Sequence, residues 1–165
     1  MATFTNKTFT KYDDWLTPLS AWEDVQAFIP RDKIIWEAFY GNGESGTHLT
    51  SLGYKVIHED IDFFENDKGD IIVSNPPFTK IPEVLERLKL IGKPFMLIMP
   101  SSKINTQYFR KLFAKEKIQI IIPKKRIQFE KLVNGEKVEG QKKACNFDCF
   151  YYCWKWGLEN DITWI

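Results

Sequence analysis

The sequence predicts an α/β fold: a mostly parallel sheet with one antiparallel strand and helices on both faces. Two observations carry this. Short apolar runs such as Ile71-Ile72-Val73, Phe95 to Met99 and Ile118 to Ile122 alternate with stretches of helical periodicity, the pattern of strands joined by crossover helices. Two of the runs end in stiff or glycine-rich turns, Gly41-Asn42-Gly43 and Asn75-Pro76-Pro77, where sheets of this kind bind ligands. A chain of 165 residues fits one domain with one sizeable core.

Pro18 to Ile29 reads as a helix with Leu19, Trp22, Val25, Phe28 and Ile29 on one face. Thr17 suits its N-cap, and Pro30 stops it. Lys33 to Ala38 is a first strand. Ser45 or Gly46 to Leu52 is a short helix closed by Gly53. Tyr54 to Glu59 and Asp70 to Ser74 are the next strands. Pro82 to Leu90 is a helix, Pro94 to Met99 a buried strand, and Asn105 to Lys115 a helix carrying Tyr108, Phe109, Leu112 and Phe113. Ile118 to Ile122 is another strand. Residues 124–143 read as a basic loop or hairpin with a turn signal at Asn134-Gly135. Phe147 to Trp156 is a final aromatic strand, suited to an antiparallel insertion.

Composition narrows the function. No apolar run approaches the ~20 residues that cross a bilayer, and Met1 to Thr10 lacks the apolar core of a signal peptide. The expectation is an intracellular protein, in the cytoplasm or nucleus of a host cell, with no membrane partner. Cys145, Cys149 and Cys153 are odd in number and share parity on one strand, so buried thiols are expected rather than disulfides or a zinc site. Residues 103–143 carry 12 Lys/Arg against 4 Asp/Glu, a net of +8, in a chain whose net charge is +1. Such a segment is either a solvated face or a contact for phosphates. Aromatic residues make up 15% of the chain, which suits either a bulky core or a site for flat rings.

The turn Glu37-Ala38-Phe39-Tyr40-Gly41-Asn42-Gly43 follows a strand, and its glycines let backbone approach a ligand closely. Taken alone it is also an ordinary tight turn. Asp60 stands roughly 20 residues on, where an acid can bond a ribose hydroxyl. A third glycine is missing, which disfavours a dinucleotide, and Glu37 suits a cationic amino group better than a pyrophosphate. The segment Ser74-Asn75-Pro76-Pro77-Phe78 is more specific. Two prolines fix φ and remove two N–H donors, leaving the Asn75 side-chain oxygen and nearby carbonyls as rigid acceptors. An exocyclic amine, with two N–H donors, is complementary to them, and Phe78 can stack on a base.

Asn75-Pro76-Pro77-Phe78 after a strand resembles motif IV of the S-adenosylmethionine-dependent amino-methyltransferases, in the Asn form typical of N6-adenine enzymes. The resemblance is nearest to small phage- and virus-type members. It implies a Rossmann-like class I methyltransferase fold with Asn75, Pro76, Pro77 and Phe78 as the catalytic centre. Glu37 to Gly43 looks like motif I, so Glu37, Phe39, Gly41 and Gly43 would hold the methionine part of the cofactor. Asp60 looks like the ribose acid of motif II. Asp62-Phe63 looks like the pair of motif III that contacts the cofactor adenine. Asp14-Trp15-Leu16-Thr17-Pro18 resembles motif X, so Trp15, Thr17 and Pro18 would close over the cofactor. Two departures stand out: Asp60 and Asp62 lie two residues apart, so an intervening helix and strand are missing or shortened, and no separate target-recognition domain is legible.

The implied activity is direct in-line methyl transfer from S-adenosylmethionine to N6 of an extruded adenine in DNA. The alternatives are RNA adenine, a protein glutamine amide, or a non-catalytic nucleic-acid-binding subunit. Lys124, Lys125, Arg126, Lys142 and Lys143 are the candidate phosphate contacts. A homo- or hetero-oligomer could supply target recognition. No metal site is expected.

Overall fold

The computed structural model describes residues 15–133, 136, 137 and 147–165. Asp14, the Asn134-Gly135 turn, Lys142, Lys143 and Cys145 lie outside the described residues.

The chain enters through β1 (Trp15–Leu16) and α1 (Leu19–Glu23), then builds β2 (Ile34–Trp36), α2 (Glu44–Ser51) and β3 (Lys55–Ile57). It continues through β4 (Ile71–Ser74), α3 (Ile81–Ile91), β5 (Phe95–Pro100), α4 (Gln107–Phe113) and β6 (Ile118–Ile122). A hairpin of β7 (Glu130–Val133) and β8 (Glu136–Lys137) precedes β9 (Cys149–Trp154) and β10 (Ile162–Trp164). Seven strands form one sheet in the order β10-β6-β9-β5-β4-β2-β3. All its pairings are parallel except those of β9, which runs antiparallel to both β5 and β6. The predicted α/β class, with one antiparallel strand, is therefore the observed one.

Side-chain alternation splits the core into two layers. Ile72, Phe95, Leu97 and Met99 face α3 and α4, meeting Val84, Leu85, Leu88, Phe109 and Phe113. Ile71, Val73, Met96 and Ile98 face α1 and α2, meeting Ala21, Trp22 and Leu49. Cys149 and Cys153 are buried in that second layer. Among the described residues no group of His, Cys, Asp and Glu could hold a metal, and no helix is long and apolar enough to cross a membrane.

The topology fixes where a ligand can sit. From β2 the chain crosses to β3 on one side and then returns to β4 on the other. Diverging crossovers leave a crevice at the carboxyl ends of the two strands, the switch point of open α/β sheets. The residues that follow β2 and β4 line that edge. Because β9 is antiparallel to β6, the segment joining them leaves and returns at this same edge. Its hairpin pairs with β1, Trp15 opposite Lys131 and Leu16 opposite Glu130, forming a small second sheet.

Several elements differ from expectation. The helix expected over 18–29 is only α1 followed by a separate 3-10 turn, Gln26–Phe28. Thr17 does not cap it: the N-cap is Pro18, with no side-chain cap bond, because the Thr17 hydroxyl is engaged elsewhere. The helix expected over 105–115 is shorter, α4 at Gln107–Phe113, with a 3-10 turn, Ser101–Asn105, before it and Thr106 capping α4 through a bond from the Phe109 N–H at 3.3 Å. Strands β1 and β10 were not expected. In α2, Gly46 is held by close packing, since a Cβ there would lie 2.3 Å from His58 Cγ. Gly46→Ala should therefore destabilise the fold by about 1–3 kcal/mol, read as a lower urea midpoint at unchanged m-value. A midpoint equal to that of the parent protein would show that the His58 ring yields freely.

Candidate active site

Glu37 is the first residue beyond β2, and it is only 1% exposed. An isolated carboxylate there would be costly to desolvate, and three donors compensate it. The Ser45 hydroxyl, from α2, donates to Oε2 at 2.6 Å. The Ser74 hydroxyl, at the end of β4, donates to Oε1. The Phe39 N–H donates to Oε1 at 3.2 Å. Ser45 in turn accepts from the Trp22 indole N–H at 2.9 Å. Burial outweighs these bonds and pushes the Glu37 carboxyl up to about 7.

Above this carboxyl the chain turns sharply. Gly41 and Gly43 hold φ of +61° and +87°, a region that L side chains avoid. The turn is closed by the Gly43 N–H donating to the Tyr40 carbonyl at 2.8 Å. Tyr40 stacks on His58, ring centroids 6.1 Å apart at 17°.

Asn75 follows Ser74 directly. Its amide nitrogen donates to the Thr17 hydroxyl at 3.0 Å, and Thr17 is only 4% exposed. The amide oxygen of Asn75 is buried and has no hydrogen-bond partner among the described residues. A buried unsatisfied acceptor costs about 1–3 kcal/mol, so the site keeps an acceptor ready for a donor from outside. Pro76 and Pro77 are buried and give the tip no N–H of their own.

Phe78 is half-buried and meets Phe147 edge-on, 5.0 Å between centroids at 80°, and Phe129 at 6.2 Å and 87°. Phe147 reaches Trp15 at 6.3 Å and 88°, and the Lys131 ammonium lies 5.6 Å over the Trp15 ring. Four segments distant in sequence thus join in one aromatic wall beside Asn75.

The structure brings together most of the expected residues. Thr17 meets the Asn75–Phe78 tip directly, Trp15 reaches it through Phe147, and Pro18 is the N-cap of α1 next to Thr17. Glu37, Phe39, Gly41 and Gly43 form the turn beside it, linked through Ser74. Asp60 lies exposed beyond β3 at the same edge, while the Asp62 carboxylate accepts from the Phe64 N–H at 2.9 Å and caps a 3-10 turn. Phe63 differs from its expected place: it is fully buried, 4.7 Å from Phe39 and 5.6 Å from Trp36 between centroids. The turn that Asp62 caps swings its ring into the core, where it supports the glycine turn from below. Lys124 and Lys125 are exposed on the segment leaving β6, and Arg126 is paired with Asp148, Nε to Oδ1 at 2.8 Å. Sequence reasoning missed Trp22, Ser45, Phe129, Phe147 and Lys131. Only Ser45, in the first turn of the helix after the glycines, carried a local signal.

No protein-family model and no curated protein sequence matches the chain. Among solved structures, a Listeria monocytogenes protein provisionally assigned to the class I S-adenosylmethionine-dependent methyltransferases superposes with a TM-score of 0.51 at 12% identity. The match covers 96% of this chain and 67% of that one. A Thermoplasma acidophilum protein provisionally assigned as a methyltransferase gives a TM-score of 0.34 at 12% identity over 80% of this chain and 60% of that one, too distant to bear on the fold. The likeness to the Listeria protein is one of fold: the chain has the class I methyltransferase architecture.

Glu37 sets a pH dependence. Its folded carboxyl holds a proton up to about 7, whereas an ordinary one releases it near 4.5. Between those values the folded state binds a proton that the unfolded state lacks, so stability falls as pH rises through the window, by roughly 3 kcal/mol in all. Urea unfolding across this window should show that decline, and Glu37→Gln should flatten it. Equal slopes in the two proteins would remove Glu37 as its source.

Proposed function

We propose that the protein is an S-adenosylmethionine-dependent methyltransferase acting on the N6 amino group of adenine in DNA. The observation that carries this reading is the orphaned Asn75 oxygen, a buried acceptor at the tip of β4 beside an aromatic wall. The crevice chemistry also suits the cofactor. Glu37 offers a carboxyl beneath a turn whose glycines hold positive φ, with the Tyr40 ring packed against Gly43, matched to a ligand with a cationic amino group and sulfonium. Tyr40 and Asp60 flank the same edge.

When bound, S-adenosylmethionine supplies the methyl group: the N6 pair forms the new N–C bond as the S–C bond breaks, the thioether leaves, and N6 loses one proton to solvent. Asn75 and the carbonyl beside it would accept the two amino hydrogens, drawing the nitrogen lone pair out of the ring. Thr17 holds the amide so that its oxygen faces the amine. Positive charge developing on N6 would then meet fixed dipoles that need no reorganisation. Phe78, backed by Phe129 and Phe147, would hold an extruded base. That wall favours a nucleobase over a glutamine amide, which offers far less surface to stack. Lys124 and Lys125 would meet phosphates, and a partner subunit or second copy would add target recognition.

Asn75→Ala should lower the methyl-transfer rate at least about 100-fold, the scale of losing one preorganised group at a transition state. Calorimetry should show cofactor affinity within a few-fold of the parent. Full transfer to DNA by this variant would refute the assigned role. Charge reversal at Lys124 and Lys125 should weaken DNA binding and reduce its salt dependence by up to about two in slope. An unchanged slope would take this segment off the contact surface.

A further inference from the structure

We propose that Ser45 and Ser74 are positioning residues for Glu37: their hydroxyls grip the two oxygens of its carboxyl, one bond fixed and the other reversible, so that a cation entering the crevice expels a proton from its floor. The proposal rests on the reading of the crevice as a site for S-adenosylmethionine.

The fixed bond follows from Trp22. An indole N–H can only donate, and it donates to Ser45 Oγ at 2.9 Å. Ser45 therefore sends its own proton to Glu37 Oε2, at 2.6 Å. Both carboxyl oxygens accept, Oε2 from Ser45 and Oε1 from the Phe39 N–H, but only Oε1 faces a hydroxyl whose proton no indole has fixed, so a proton on the carboxyl belongs on Oε1, toward Ser74. The Ser74 hydroxyl can donate to the charged carboxylate or accept from the neutral acid. A single bond rotation converts one state to the other.

Among the described residues the surroundings are otherwise silent. Phe39 on the following turn gives a backbone N–H, α2 gives Ser45, β4 gives Ser74, and α1 acts through Trp22. The perturbation of the carboxyl comes from burial and these hydrogen bonds, with no charged neighbour among the described residues contributing. A ligand cation would thus be the first charge the carboxyl meets. Its arrival favours the ionised form, the proton leaves to solvent, and Ser74 turns to donate. Ser74 shares a peptide bond with Asn75, so the reversible partner adjoins the orphaned acceptor.

The test uses the full chain and the variants Ser45→Ala, Ser45→Thr, Ser74→Ala and Trp22→Phe. The first measurement follows the carbon-13 shift of the Glu37 carboxyl against pH in the free protein. The second is calorimetry with S-adenosylmethionine in two buffers of unlike ionisation enthalpy. The parent should titrate near neutrality, release protons on binding at about pH 6, and gain up to about tenfold in affinity per pH unit below its midpoint. Ser45→Ala and Ser74→Ala should each raise the midpoint by about one unit and weaken binding several-fold near pH 7. Ser45→Thr should restore the parent values, and Trp22→Phe should shift them less, in the same direction. A Glu37 midpoint in the ordinary carboxyl range, or midpoints unmoved in both alanine variants, would overturn the proposal. Absence of binding by the parent at every pH would sink the cofactor reading instead, while the free-protein titration would still decide the roles of Ser45 and Ser74. Should a variant fail to fold, the Ser45→Ala and Ser45→Thr pair decides.

Discussion

The hydrogen bonds that join Glu37 to Ser74 and Ser45 span the point where the sheet changes its direction of growth. β2 and β4 are neighbours, yet the chain between them travels out to β3 and back. Their backbone pairing runs as far as Trp36 and Ile72, and just beyond it the buried carboxyl ties the two carboxyl ends together. Around it the other parts take their places: the glycine turn rises from the same residue stretch, and the proline-locked tip starts one residue beyond Ser74. α1 and α2 are tied together through Trp22 and Ser45. A buried acid is an expensive fastener unless its donors are complete, and here they come from three separate segments.

The proline-locked end of β4 is built on a second principle. The tip at Asn75 to Phe78 is stiff because prolines make it so, and it is poor in donors for the same reason. One side of the Asn75 amide is anchored on Thr17, 58 residues away in sequence. The other side is left open at a free-energy cost. Rigid, desolvated and unsatisfied acceptors are what a polar transition state rewards and a ground-state protein resists. The aromatic wall of Trp15, Phe78, Phe129 and Phe147 begins at the same tip and draws on four separate segments of the chain.

Much of this was legible in the amino-acid order because it is local. Apolar runs announced β4, β5 and β6, and paired prolines announced the tip. The glycines at 41 and 43 announced a turn at positive φ. What escaped is long-range. Trp22 and Ser45 are ordinary helix residues until the fold sets them 2.9 Å apart. Thr17 looked like a cap because Thr before Pro before an apolar run has that form, but a tertiary partner outbid the helix for its hydroxyl. Phe63 looked like a ligand contact by its neighbour Asp62, and the 3-10 turn that Asp62 caps sends it inward instead. β10 was missed although Ile162-Thr163-Trp164 alternates well, since a three-residue edge strand has too little pattern to stand out from a loop.

The reversed strand β9 has a consequence for how such a molecule can change over evolutionary time. Because β6 and β9 run in opposite directions, the 26 residues between them, 123–148, begin and finish at one rim, like a handle on a cup. Such a handle can be lengthened, shortened or exchanged while the vessel keeps its shape, since loop closure grows only slowly more costly with length. The rim it stands on is the one that carries Glu37, the glycine turn and the Asn75 tip. Under the proposed function, new target preferences would arise by remodelling a single continuous piece of chain, leaving the chemistry beneath it untouched.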